Sequence, residues 1–257
     1  MKKLLLTTLL AFALAGVAEA KPHKKHKKVK SRSAKTVQVK KHKSTGYAHY
    51  ATGSYVLFDY DNGEFNDEFN RNQVRSIASI TKMFTAITVI NSTANLYEKL
   101  YVTGKNGGKV PRGSYVTRMD LLKAMVMNSD NLAAEVLANN HPGGFNQFII
   151  DTNIYVNGMG LINTKIVDSS GLLAGNVSTA KDLARFLWII KNNPTIREIS
   201  NEPNKVISIP KGKRTLKIHL RNTNPSIFVF DNICSTISLL VFIFNISTCK
   251  IICLIRF

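Results

Sequence analysis

Residues 74–90 read VRSIASITKMFTAITVI, and this stretch constrains the fold more than any other. Ile80, Met83, Phe84, Ile87 and Ile90 recur at steps of three and four, which predicts a helix with a broad apolar face. That face must be buried, and Lys82 sits within the same turn as its apolar neighbours. A lysine carried into an apolar setting loses its preference for the charged form and becomes able to accept a proton. Ser79 lies three residues earlier, at the expected start of the helix. Residues i and i+3 share a helix face, so the Lys82 amine can approach the Ser79 hydroxyl. Free N–H groups and the helix dipole there favour a developing negative charge.

The spacing alone does not select Ser79, because Ser178-x-x-Lys181, Ser208-x-x-Lys211 and Ser247-x-x-Lys250 share it. Ser178 opens STAKDLARFLWII, where capping explains Ser or Thr and Lys181 falls on an exposed first turn. Ser208 precedes Ile209-Pro210 in a strand-like stretch, and Ser247 lies in a C-terminal segment of different composition. A second polar cluster supports Ser79. Ser129-Asp130-Asn131 falls between two expected helices, where three polar side chains at a break can face a cleft or simply cap a helix.

Around these motifs, SYVLFDYDNGEFNDEF reads as two antiparallel strands turning at Asp61-Asn62-Gly63. Further helices are expected at Arg118 to Met127, Asn131 to Asn140, Gly144 to Asn157 and Thr179 to Asn192. In the last, Asp182 three residues after Thr179 resembles a capping box, and Pro194 marks the end. VISIPKGKRTLKIHLR reads as a strand pair. Strands at both ends with helices between them give an α+β class, helices packed on an antiparallel sheet.

Composition divides the chain into four. Residues 1–20 have two lysines, an apolar run from Leu4 to Val17 and Ala18-Glu19-Ala20, the pattern of a signal peptide, which predicts a periplasmic or other extracytoplasmic location. Residues 21–46 form a basic Lys- and His-rich linker. Thirteen Lys or Arg against Glu19 alone place twelve of the nineteen net positive charges within residues 1–43. Such a block stays extended and attracts anionic polymers. His23, His26 and His42 offer metal-ligand chemistry there without a scaffold to organise it. Residues 47–225 are long enough for one cored domain and contain no cysteine. Residues 226–257 contain no Gly or Pro, are 21 of 32 apolar, and hold all three cysteines, Cys234, Cys249 and Cys253.

Ser79-x-x-Lys82 followed by Ser129-x-Asn131 resembles the penicillin-binding proteins and serine β-lactamases. The wording ATGSYVLFDYDNGEF, VRSIASITKMFTA, MNSDNLAAE, HPGGFNQFI, GLINTKIVDSSGL, NVSTAKDLARF and HLRNTNP, in that order from Thr52 to Pro225, is similar to the S11 peptidases, D-alanyl-D-alanine endopeptidases and carboxypeptidases. The resemblance implies a penicillin-binding-protein-like fold and a serine peptidase acting on peptidoglycan peptides, with β-lactams as covalent inhibitors and no metal or other cofactor. It implies that Ser79 is the nucleophile, that Lys82 takes its proton, and that Ser129 relays a proton to the leaving amine. Asn131 would hold the substrate amide and orient Lys82. The wording is closer to the endopeptidase branch. A β-lactamase would need a deacylating Glu well downstream of Ser129, and the Glu135-x-x-x-Asn139 pattern comes too soon. A purely wall-binding or polyanion-binding protein is the other alternative.

The family's third element, Lys-Thr-Gly or Lys-Ser-Gly, is absent. It belongs within about twenty residues of Arg221-Asn222-Thr223-Asn224, where the apolar tail stands instead. The expectation is a reading frame shifted just after Pro225, with terminal strands lost and activity impaired. A membrane helix over Ile233 to Ile255, interrupted by Asn245 and Lys250, and the strands of a diverged sheet are the competing readings.

Overall fold

The computed structural model describes residues 54–59, 62–211, 214–223 and 250–255. Strands β1 (Ser54–Asp59) and β2 (Phe65–Phe69) form the expected hairpin, with Tyr55 opposite Phe69 and a register shift between Leu57 and Phe58. Gly63 takes φ +76°, the conformation its turn requires. Strand β3 (Arg75–Ser76) leads through a tight 3₁₀ turn, Ala78–Ile80, into α1 (Thr81–Asn91). A short pair, β4 (Lys99–Tyr101) and β5 (Tyr115–Thr117), precedes α2 (Arg118–Asn128), α3 (Asn131–Asn139) and α4 (Gly144–Gly158). Strand β6 (Val177–Ser178), α5 (Ala180–Ile190), α6 (Pro194–Asn201) and the hairpin β7 (Asn204–Lys211) and β8 (Arg214–Arg221) follow. Finally β9 (Lys250–Ile255) runs antiparallel to β1 on the edge opposite β2, from Ser54 opposite Ile255 to Asp59 opposite Lys250.

The α+β class and all five anticipated helices are present. Three elements depart from the sequence expectation. Helix α1 is buried on every side over Thr81–Val89, instead of presenting one apolar face. It is the central helix, packed by α2, α3, α4 and α6, so its polar residues also face protein. Thr85 donates to the Ser169 carbonyl at 2.7 Å, and Thr88 donates to Thr152 Oγ1 at 3.0 Å. Phe84 stacks on Phe186 of α5 at 3.9 Å between ring centres, which ties α1 to the helix lying against β1.

The second departure is Pro194, which starts α6 as well as following α5, because proline suits the first turn of a helix and Asn193 caps it by accepting from the Ile196 N–H. The third is the expected capping box. Thr179 does accept from the Asp182 N–H at 3.1 Å, but the Asp182 carboxylate turns away to accept from the Asn163 N–H and the Thr164 hydroxyl. In the tail, residues 250–255 are strand, which favours the sheet reading for that segment over a membrane helix extending to Ile255. The remainder of the tail, the basic linker and the signal-like segment lie outside the described residues.

Candidate active site

Ser79 sits in the middle of the 3₁₀ turn, one turn ahead of α1 proper. Its backbone is fixed from two directions. On one side, β3 pairs with β6, with Arg75 opposite Ser178, and the Ile77 N–H donates to the Asn176 carbonyl at 2.9 Å. On the other, Ala78 is held at φ +43°, a left-handed conformation that costs a non-glycine residue about 1–2 kcal/mol. Strain of this kind persists only where the surroundings impose it.

Lys82 follows one turn later and is fully buried. Its Nζ donates to Ser79 Oγ at 3.1 Å and to the Ser170 carbonyl at 2.6 Å. Burial lowers its pKa from 10.5 to about 8, against the opposing pull of the Asp168 and Asp130 carboxylates. At pH 7 roughly one Lys82 in ten is therefore neutral and able to take a proton.

Ser129 approaches from the break between α2 and α3. It adopts the left-handed conformation, φ 54°, that ends α2, and its Oγ donates to Ser79 Oγ at 3.1 Å. Asp130 caps α3 by accepting from the Ala133 N–H at 2.8 Å, and its other oxygen accepts from the N–H groups of Lys109 and Val110. Capping and a cleft-facing serine thus coexist in one tripeptide. The structure brings Ser79, Lys82 and Ser129 into one hydrogen-bonded chain. Asn131, the first residue of α3, is half-buried, and its side chain has no hydrogen-bond partner among the described residues.

The rival Ser-x-x-Lys pairs serve other purposes. Ser178 is buried and bonded to Thr164 Oγ1 at 2.7 Å, while Lys181 is exposed. Ser208 lies exposed on β7, and Ser247 is outside the described residues. The Glu135 carboxylate accepts from the N–H groups of Lys105 and Asn106, so it ties down a loop. Among the described residues no three His, Cys, Asp or Glu side chains gather as metal ligands.

Sequence reasoning missed one part of the site, the turn Asp168-Ser169-Ser170-Gly171. Its carbonyls meet Lys82 and Thr85, and a Cβ placed on Gly171 (φ +85°) would stand 1.8 Å from the Ala78 oxygen. The signal was available in part, since Asp followed by small polar residues and Gly favours a turn closed by the Asp side chain. Nothing local could say that the turn lies against α1.

A model of the D-alanyl-D-alanine carboxypeptidases, Peptidase S11, matches residues 37–233. The chain belongs to this family. Among its S11 relatives, a D-alanyl-D-alanine endopeptidase of Pseudomonas aeruginosa is 37% identical over 181 residues, which cover 68% of this chain and 58% of the relative. One of Escherichia coli is 34% identical over 185 residues, covering 69% and 59%. The chain thus spans less than two thirds of the length of these relatives. Among solved structures, the Streptomyces K15 DD-transpeptidase superposes with a TM-score of 0.68 at 22% identity, covering 79% of this chain and 87% of its own. The S11 chain therefore has a penicillin-binding-protein-type fold.

Proposed function

We propose that the protein is a serine-type D-Ala-D-Ala peptidase that cleaves peptidoglycan peptide cross-links through a penicillin-sensitive acyl-serine, with endopeptidase activity favoured by the two relatives above. The observation that carries this reading is the hydrogen-bonded chain from the buried Lys82 Nζ to the partly buried Ser79 Oγ and Ser129 Oγ, with both links at 3.1 Å.

In the neutral fraction Lys82 takes the Ser79 proton as Oγ attacks the carbonyl carbon of the D-alanyl peptide bond. The C–N bond then breaks, and the proton passes from Lys82 through the Ser129 hydroxyl to the departing amine. A water attacks the ester and loses its proton to Lys82; as the bond from the acyl carbon to Ser79 Oγ breaks, Lys82 returns that proton to Oγ, and the product leaves and ionises to the carboxylate. Asn131 holds the substrate amide; its side chain, free of protein partners among the described residues, is available for that bond. The missing Lys-Thr-Gly removes a cation near Lys82 and an oxyanion-hole donor. Loss of one such donor typically costs about a hundredfold or more in rate, so acylation is slow.

The signal-like residues 1–20 support a site of action outside the cytoplasm, where the charge of residues 21–46 serves as a tether that anionic wall polymers would attract. Deleting residues 21–43 should abolish salt-sensitive wall binding. The enzymatic reading is tested by labelling the full chain with a fluorescent penicillin and mapping the modified peptide. Label on Ser79, lost in Ser79→Ala, is the expected result. No label on the folded chain, or label that persists in Ser79→Ala, overturns it.

A further inference from the structure

The Asp168 turn has no part in the proton chain just described, yet it touches Lys82 and lies against the Ala78–Ser79 backbone. Asp168 is buried in the connection between α4 and β6. One carboxylate oxygen accepts from the Ser170 and Gly171 N–H groups, both at 2.6 Å, and from the Ser170 hydroxyl at 3.3 Å. The other accepts from the Leu173 N–H at 2.6 Å. Three backbone donors on one side chain wind residues 168–173 into a single turn. Asn176, fully buried, locks the turn from behind, accepting from the Val167 and Asp168 N–H groups and donating to the Leu173 carbonyl.

The turn projects three groups at the site. The Ser169 carbonyl accepts from Thr85, and the Ser170 carbonyl accepts from Lys82 Nζ at 2.6 Å. Gly171 lies so close to the backbone of Ala78 and Ser79 that it leaves no room for a side chain. The left-handed Ala78, which aims Ser79, is thus walled in by the same turn that aims Lys82.

We propose that Asp168 is a positioning residue for acyl transfer, which winds the 168–173 turn so that one rigid piece of backbone fixes both the Lys82 amine and the strained Ser79 turn. The inference rests on the peptidase reading for its catalytic meaning. Its structural content stands without it.

Two carboxylates act on Lys82: Asp168 from this turn and Asp130 from the start of α3. The hydroxyls of Ser79 and Ser129 and the Ser170 carbonyl complete its polar surroundings. Asp168 therefore holds Lys82 in place and keeps it from losing its proton too readily. Asparagine at this position keeps the acceptor for Ser170 and Gly171, loses the one for Leu173, and removes the charge.

The test uses the full chain with ¹³C-labelled lysine, following the Lys82 titration by NMR, with the resonance assigned by its loss in Lys82→Arg. The pH profile of fluorescent-penicillin labelling is measured alongside. In Asp168→Asn the Lys82 midpoint should fall below the wild-type value of about 8, by about one pH unit. The acid limb of the labelling profile should move down with it, while the plateau rate drops. A midpoint and limb that stay where they are in wild type overturn the proposal, even if the rate falls, because a merely structural residue would behave that way. Should Asp168→Asn unfold, Asp168→Glu keeps the charge on a longer side chain. The longer arm displaces the turn, so a Lys82 midpoint shifted from the wild-type value together with a lower plateau then supports the proposal, and an unmoved midpoint overturns it. A wild-type chain that takes no label sinks the peptidase reading alone, since the NMR midpoints still decide the role of Asp168.

Discussion

Replacing Gly171 by alanine should damage stability and chemistry together, and the structure gives the size of both effects. Gly171 adopts φ +85°, and an alanine held there costs about 1 kcal/mol. Its Cβ would lie 1.8 Å from the Ala78 oxygen, 2.3 Å from the Ala78 carbonyl carbon and 2.9 Å from the Ser79 nitrogen. These are backbone atoms, so no side chain can swing aside, and the two turns must separate by more than an ångström. Overpacking of this kind adds about 1–3 kcal/mol, for a total near 2–4 kcal/mol. At 2–4 °C per kcal/mol for a domain of this size, Tm should fall by roughly 5–15 °C. Because the displacement acts on Ser79 itself, penicillin labelling of the folded fraction should also slow by about a hundredfold. Thermal unfolding followed by circular dichroism, with labelling at a temperature where the variant is folded, measures both. A Tm within about 2 °C of wild type together with undiminished labelling would refute the argument that this glycine is required by contact with the Ser79 turn.

Lys82→Met should abolish labelling and change the pH dependence of stability. The folded pKa of Lys82, about 8, lies below its unfolded value of 10.5, so the unfolded chain binds more protons between those limits. The Lys82 contribution therefore makes stability rise with pH through that window, and subtracting the Lys82→Met profile from wild type in urea titrations should isolate a rise of about 3 kcal/mol or less. A difference profile that is flat from pH 8 to 10.5 would contradict a lowered pKa. Asp130→Ala removes the α3 cap and strands the Lys109 and Val110 N–H groups, so it should destabilise by about 2–4 kcal/mol in chemical denaturation; a loss below about 1 kcal/mol would count against that accounting. Phe84→Ala takes away the ring stacked on Phe186 between α1 and α5 and should cost about 3–5 kcal/mol by the same assay, with Phe84→Leu costing far less.

Much of the fold was legible because its signals are local. The Asn62-Gly63 turn specifies the first hairpin, the recurrence of Ile80, Met83, Phe84 and Ile87 specifies α1, and Thr179 caps the helix that follows it. Context also separates Ser79 from the Ser178 and Ser208 pairs, which the structure puts in a buried bridge to Thr164 and an exposed strand. The burial of α1 on all sides was not legible. The threonines at positions 85 and 88 read as a polar face until the 168–173 turn and α4 arrive to satisfy them.

Ordered motifs and periodicity were enough for the fold class and the family, and they bring Ser79 and Lys82 together, because residue spacing within a helix fixes which side chains share a face. Tertiary structure alone decided that Ser129 meets Ser79 across fifty residues and that Ser170 meets Lys82 across eighty-eight. It likewise decided that residues 250–255 pair with β1, where composition had left helix and strand both open. Contacts at such separations depend on how whole elements pack, and packing leaves no periodic mark on the chain that makes it.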